Sequence, residues 1–289
     1  MIKMYLMTQK GYDVLNHVVK SGFTRLVSAV VSSTDNSIAK DYYHEISHLC
    51  SSNSILFFDR KETCNVDGMY EIAISWRWII NETQNLIVLH DSILPKYRGF
   101  SPLVNSLKNG ESEIGVTALF ATSEYDKGDI ICVQKIAVKY PIKIKEAIDL
   151  IATCYVRCIE YIFSCLLSDQ ELHCTKQNDA EATYSLWLNN DDYRIDWNQD
   201  SIFLERFVNA VGWPYAGAFT ISDGVKVIIL DVEVLDDIFI ENRSPGKVIF
   251  IQNGNPVIVC GKGLLKIQTA MFDGGETALP LKKFRTLFF

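Results

Sequence analysis

Apolar and polar positions fall into short, regular blocks along the first half of the chain. "KMYLMT" is a strand-length apolar run. "YDVLNHVVKSG" follows with apolar residues three and four apart, the spacing of an amphipathic helix that Gly22 closes. "LVSAVVSS" repeats the strand, and "SIAKDYYHEISHLC" the helix, entered past Asp35. "SILFFD", "YEIAIS" and "NLIVLH" are three further short strands. Runs this continuously apolar, separated by helices, predict a parallel sheet covered on both faces. Beyond Gly99, "PLVNSLKNG" predicts a short helix, "GVTALFAT" and "DIICVQKIAV" two strands, and Ile144 to Leu167 a long helix.

Polar "SDQELHCTKQNDAEAT" then reads as a domain boundary. After it comes one helical segment, "DSIFLERFVNAVG", followed by "PYAGAF". The strands "KVIILDVEVL", "GKVIFIQNG", "NPVIVCGKG" and "LLKIQTA" succeed one another through Gly, Asn and Pro turns. The expected fold is therefore α/β. A first domain over residues 1–180 has a mostly parallel sheet, and a smaller, mainly β domain covers 181–289.

Composition adds exclusions. A chain of 289 residues, 48% hydrophobic and 22% charged, can build a core in each domain. A net charge of −7 without a Lys/Arg cluster argues against a general nucleic-acid binder, although a local anion site is compatible with it. The apolar runs look shorter than a bilayer requires, and the first residues turn polar too soon for a signal peptide. The expectation is a cytoplasmic protein without a membrane partner. The eight cysteines are scattered with no C-x-x-C pair; Cys154, Cys158 and Cys165 lie at helical spacing and read as buried small hydrophobes.

Two histidine motifs invite chemistry. "HEISH", His44 to His48, fits the HExxH zinc pattern, in which two histidines on one helix face hold the metal. No third ligand follows at metzincin spacing, and ligands of open α/β sheets bind at strand carboxyl ends rather than mid-helix. The match is taken as chance, and no metal is expected. His90 ends the apolar strand "NLIVLH" and leads into "DSILPKYRG", so it is delivered to the carboxyl edge of the sheet. Thirty-six residues on, "SEYDKGDII" carries Asp126 in a loop between two strands. A carboxylate brought to the imidazole makes an acid–base pair. The alternative is a capping histidine and a solvated turn aspartate.

"HDSILPKYRGFSP", "NGESEIGVTALF" and "YDKGDII", in this order, resemble the formyl-tetrahydrofolate-dependent formyltransferases. This family includes methionyl-tRNA, glycinamide ribonucleotide and nucleotide-sugar N-formyltransferases. "DYRIDW" and "AVGWPYAGAFT" extend the likeness into the second domain. The resemblance implies a Rossmann-like first domain and 10-formyltetrahydrofolate as the formyl donor. It implies His90 as catalytic acid and oxyanion stabiliser, Asp126 as its support and Ser92 as the residue that positions the loop. Trp78, Ile79 and Ile80 would border the pterin on one side. Thr122, Ser123, Glu124, Tyr125 and Asp126 would form the other wall, partly through backbone groups. Tyr97, Arg98, Trp213 and Tyr215 fall to the acceptor. The acceptor it favours is a dTDP- or UDP-linked amino-dideoxy sugar destined for surface polysaccharide, with a homodimer allowed.

The sequence departs from the family pattern at three places. Val88 stands where the family has an asparagine two residues before the histidine, on the same strand face. Loss of one oxyanion donor costs on the order of a hundredfold in rate. Phe100 follows the Arg-Gly pair where some sugar-modifying members carry arginine, and Ala216 replaces a usual proline. Methionyl-tRNA or another amine stays open as acceptor, and Val88 keeps a non-catalytic folate or nucleotide binder open.

Overall fold

The computed structural model describes residues 1–35, 38, 40–80 and 84–289, in two compact units. The first comprises Met1–Leu103, Glu113–Ala137 and Ile148–Leu186; the second comprises Val104–Ser112, Val138–Ala147 and Trp187–Phe289.

A seven-stranded sheet organises the first unit. Its strands are β1 (Ile2–Leu6), β2 (Val27–Ser32), β3 (Phe57–Asp59), β4 (Tyr70–Ile74), β5 (Leu86–His90), β7 (Glu113–Phe120) and β8 (Ile130–Ala137), in the order β3-β2-β1-β4-β5-β7-β8. The first five are parallel, and β7 and β8 are antiparallel to their neighbours. The arrangement is Rossmann-like, with a parallel majority and an antiparallel edge. Only part of the expected helix alternation is present: none of the described residues between β3 and β4, or between β4 and β5, is helical.

Helix α1 (Thr8–Lys20) buries Gly11, Val14, Leu15 and Val18, a stripe at helical spacing. It packs on α2 (Tyr43–Ser52). The α2 segment starts later than the periodicity predicts, because Tyr42 takes a left-handed conformation at φ 62° and ends the preceding turn there. Ser37 and Ala39 of the expected helix lie outside the described residues. A short helix, α3 (Pro102–Asn109), follows the β5 loop, and α4 (Ile144–Leu167) matches its predicted span.

By length and hydropathy α4 is sufficient to cross a membrane, contrary to the expectation from apolar runs; charges spaced along it conceal its apolar character. Half of its most apolar stretch is buried within the protein. Tyr155 and Cys158 on it reach the carbonyls of Leu89 and Val116, and Phe163 meets Phe23 edge-on at 5.6 Å, so the helix serves as a core cover. Cys154, Cys158 and Cys165 are buried free thiols on this helix, as their spacing predicts.

The second unit is built on a five-stranded antiparallel sheet. Strands β10 (Ala218–Ser222), β11 (Val225–Leu235), β12 (Val248–Gln252), β13 (Asn255–Val259) and β14 (Leu264–Phe272) take the order β10-β11-β14-β13-β12. Helix α5 (Ser201–Ala210) is capped by the Asp200 carboxylate, which accepts from the N–H groups of Ile202 and Phe203, and it packs on β11 and β14. The family-like "IDW" is structural here: Ile195 and Trp197 are buried, and the Trp197 indole donates to Thr220 Oγ1 at 3.0 Å.

Candidate active site

Strand β5 is apolar from Leu86 to Leu89 because both of its faces are covered, and it ends on His90, which is 7% exposed. His90 and Val88 share one face by the period of two. Across the ladder His90 lies beside Thr117, while Val88 lies between Ala73 of β4 and Leu119 of β7.

After His90 the chain turns back tightly. Ser92 N–H donates to the His90 carbonyl (2.8 Å) and the Ser92 hydroxyl to the Lys96 carbonyl (2.7 Å). Thr117 pins this loop to the sheet: its hydroxyl donates to Ser92 O (2.7 Å) and accepts from Leu94 N–H (3.1 Å). Tyr97 is left-handed at φ 61°, a conformation uncommon outside glycine, and this aims its carbonyl at His90 Nε2, 2.8 Å away. A carbonyl only accepts, so this contact assigns the proton to Nε2.

The other ring nitrogen, Nδ1, faces Asp126 Oδ1 at 3.5 Å. The second carboxylate oxygen accepts from Gly99 N–H at 2.8 Å. Asp126 arrives by an indirect route. Because β7 runs antiparallel to β5, the loop after β7 begins beside Leu86, where Ala121 N–H meets the Leu86 carbonyl, and has to double back to reach His90. Asp126 sits at φ 54° in that reversal. Gly128 allows the turn to close, since a Cβ there would fall 1.7 Å from the Phe120 carbonyl oxygen.

The supports of this pair were not visible in the pattern of the sequence. Gln177 lies in the segment read as a boundary. Its amide donates to the carbonyls of Asp126 (2.7 Å) and Gly128 (2.8 Å), and its oxygen accepts two bonds from Arg98 (3.0 and 2.8 Å). Arg98, expected on the acceptor side, is 1% exposed; its guanidinium also meets Asp179 (2.8 Å) and the Tyr184 hydroxyl (3.4 Å). Burial opposes its charge, but Tyr184 and Asp179 outweigh burial and hold it charged beyond its ordinary range. The two-residue strand β6 (Arg98–Gly99) pairs with β9 (Tyr184–Ser185), and Thr183 holds the N–H groups of Tyr97 and Arg98. Behind the strand end, Asp91 pairs with Lys10 and the Tyr155 hydroxyl. No motif flagged Lys10, Asp91, Tyr155 or Gln177, because their partners lie 49 to 81 residues away in sequence.

The loop after β4 begins with Ser75 at φ 54°, bonded to the Thr8 hydroxyl at 3.1 Å. Trp76 packs between Tyr5 (5.1 Å) and Trp78 (5.0 Å), and the Arg60 guanidinium covers Trp78 at 4.4 Å. Ile79 projects into solvent and Ile80 is half-buried. In the opposite expected wall, the Thr122 hydroxyl donates to the Glu124 carbonyl (2.9 Å), Glu124 pairs with Lys127, and Ser123 and Tyr125 are exposed. Trp213 and Tyr215 belong to the second unit, where both rings are exposed before β10. His44 and His48 are exposed on α2, and Glu45 between them pairs with Lys40 at 2.7 Å. Among the described residues no group of three or more His, Cys, Asp or Glu is gathered that could hold a metal.

Known proteins share the sequence pattern and the fold of this chain. The formyl transferase pattern matches residues 70–149, and the formyl transferase C-terminal domain pattern residues 188–284. The methionyl-tRNA formyltransferase of Lachnospira eligens is 30% identical over 231 residues, 75% of this chain and 71% of that protein. The chain belongs to the formyltransferase family. The methionyl-tRNA formyltransferase of Ralstonia pickettii is 29% identical over 198 residues, 68% of this chain, which spans 60% of that relative's length. In fold, the chain is similar to the N-formyltransferase of Helicobacter canadensis, solved in complex with folinic acid and dTDP-3-aminofucose. That likeness has a TM-score of 0.70 at 16% identity and covers 92% of this chain and 98% of the other.

Proposed function

We propose that this formyltransferase acts in the cytoplasm, moving a formyl group from 10-formyltetrahydrofolate to the amino group of a dTDP- or UDP-linked amino-dideoxy sugar used for surface polysaccharide. The observation that carries the reading is the His90–Asp126 pair at the carboxyl end of β5, with each partner separately pinned by Tyr97 O and Gly99 N–H.

When bound, 10-formyltetrahydrofolate supplies a carbonyl carbon attached to nitrogen; the remaining work falls to the chain. The loops carrying Trp78, Ile79 and Ile80 and carrying Thr122–Asp126 would hold the folate, a role that fits the exposure of Ile79 and Ser123 and the backbone groups of the second loop. His90 Nε2–H, which rests on Tyr97 O, would stabilise the carbonyl oxygen as charge builds there and supply the proton for the departing nitrogen. Asp126 would take the proton that the attacking amine loses and pass it to Nδ1, supporting the imidazolium whose Nε2 proton is given up, so one N–C bond forms, one breaks, and the protons balance. Ser92 holds the loop, and Arg98 acts through Gln177 and Asp179 as a positioning residue. Trp213 and Tyr215 are assigned to the acceptor by their exposure and by the affinity of aromatic faces for bases and deoxysugars.

The dTDP-amino sugar held by the Helicobacter canadensis neighbour supports this acceptor. A tRNA acceptor is the second reading, favoured by the names of the sequence relatives and opposed by a net charge of −7. A binder without turnover is the third, favoured by the apolar row Ala73–Val88–Leu119, which offers no side-chain donor in place of the asparagine. The test is a panel of dTDP- and UDP-amino sugars and methionyl-tRNA, each incubated with enzyme and formyl donor and read by mass. Gain of one formyl group on a sugar supports the proposal. Gain on tRNA alone, or on nothing while folate binds, overturns it.

A further inference from the structure

Two aromatic rings at the His90–Asp126 pair are left in water. Phe100 is 49% exposed and Tyr125 70%, and their ring centroids lie 5.7 Å apart. Both are tied through the backbone to one carboxylate: Phe100 follows Gly99, whose N–H donates to Asp126, and Tyr125 immediately precedes Asp126.

The backbone is bent to keep them there. Gly99 (φ 98°), Ser101 (φ 48°) and Asp126 (φ 54°) are all left-handed, and a Cβ on Gly99 would fall 2.7 Å from the Ser185 carbonyl oxygen. Phe100 N–H is fixed on the same carbonyl at 3.0 Å. Left-handed non-glycine residues persist where surrounding structure over-determines them, and they gather at functional sites. Here they hold apolar rings outward, against the tendency of such rings to be buried.

We propose that Phe100 and Tyr125 form a specificity wall for the sugar ring that bears the reacting amine, selecting a 6-deoxyhexose over its 6-hydroxy counterpart. The proposal rests on the nucleotide-amino-sugar reading above. Phe100 and Tyr125 are the chain neighbours of the two residues joined by the Gly99–Asp126 bond, with about 3.8 Å between adjacent Cα atoms, so the part of the acceptor within their reach is the ring carrying the amine. A nucleobase, two phosphates away, is too distant. The C–H face and methyl group of a deoxyhexose pack on aromatic carbon, whereas a C6 hydroxyl placed there loses water without a partner from Phe100. This assigns the Tyr125 ring to the acceptor and leaves the folate to the backbone groups of its loop.

The test compares kcat/KM for a dTDP-linked amino-6-deoxyhexose and its 6-hydroxy analogue in the wild type, Phe100→Ala, Phe100→Tyr and Tyr125→Ala. Removing one apolar contact from a pocket changes discrimination by roughly tenfold to two-hundredfold. The wild type should prefer the deoxy sugar at least tenfold. Phe100→Ala and Tyr125→Ala should bring the preference to within about threefold, chiefly through KM for the sugar, and Phe100→Tyr, whose hydroxyl offers the C6 hydroxyl a partner, should narrow it. A wild type that formylates both sugars equally, or alanine variants that keep the preference, overturns the wall while the functional reading stands. A wild type that formylates no nucleotide sugar overturns both.

Discussion

Replacing Asp126 by asparagine isolates the charge that the site places beside His90. The carboxylate oxygen lies 3.5 Å from Nδ1, and the two side chains are 8% and 14% exposed. At an effective dielectric of about 20, unit charges at that separation interact by about 5 kcal/mol. Partial solvation and reorganisation leave about half of that, roughly 2–3 kcal/mol, to be lost when an imidazolium must form against a neutral amide. At 1.36 kcal/mol per decade the formyl-transfer rate should fall by roughly thirtyfold to a hundred-and-sixtyfold. Stability should stay within about 1 kcal/mol, because the amide oxygen still accepts from Gly99 N–H. Asp126→Ala differs in leaving that N–H unpaired, and should cost a further 1–3 kcal/mol or so of folding stability. The assay is single-turnover transfer at saturating donor, with denaturant melts run beside it. Asp126→Asn turning over within a few-fold of the wild type, at equal stability, would refute the assignment of Asp126 as the charge partner.

Gln177→Ala removes two bonds to the Asp126 loop and two from the buried Arg98, and should lower stability by about 2–3 kcal/mol in urea melts and turnover about tenfold; an unchanged rate would mean that this loop needs no such anchor. Val88→Asn introduces an amide between Ala73 and Leu119, so a stability loss of about 1–3 kcal/mol should accompany a transfer rate that holds or rises. A slower, equally stable variant contradicts the view that His90 works without a partner donor. Reduced folate at about a hundred times its Kd should stabilise the native state by about 2.7 kcal/mol, a rise of several degrees in Tm, and the absence of any shift across several analogues counts against the donor.

Much of the fold was legible in sequence because most strands are unbroken apolar runs and α4 keeps one periodic face from Ile144 to Leu167. The start of α2 was not, because left-handed Tyr42 gives no signal in hydrophobic spacing. The two residues proposed to carry the chemistry stood out for a similar reason. His90 ends an apolar strand and Asp126 lies in a Gly-containing loop, and both features are local. The scaffold that holds them is not local. Gln177 sits in a polar stretch that looks like a linker, yet that stretch pairs Thr175 with Ile130 and carries Asp179 and Thr183 to the Arg98 strand. The resemblance placed Arg98 on the acceptor side, and only the fold reveals Gln177, Asp179 and the Tyr184 hydroxyl, the groups that permit its burial. The return of the Asp126 loop across β5 follows from the antiparallel setting of β7, which no periodicity encodes.

The central claim is that His90 carries the transfer, and a rapid-quench single-turnover experiment on His90→Asn tests it most directly. The variant is preloaded with formyl donor, binding is established beforehand by the shift in Tm, and the reaction is started with amino-sugar nucleotide. The account predicts donor binding close to that of the wild type and a transfer rate reduced at least about a hundredfold, with Asp126→Asn adding little further loss in the double variant. Near-normal transfer by His90→Asn would contradict it.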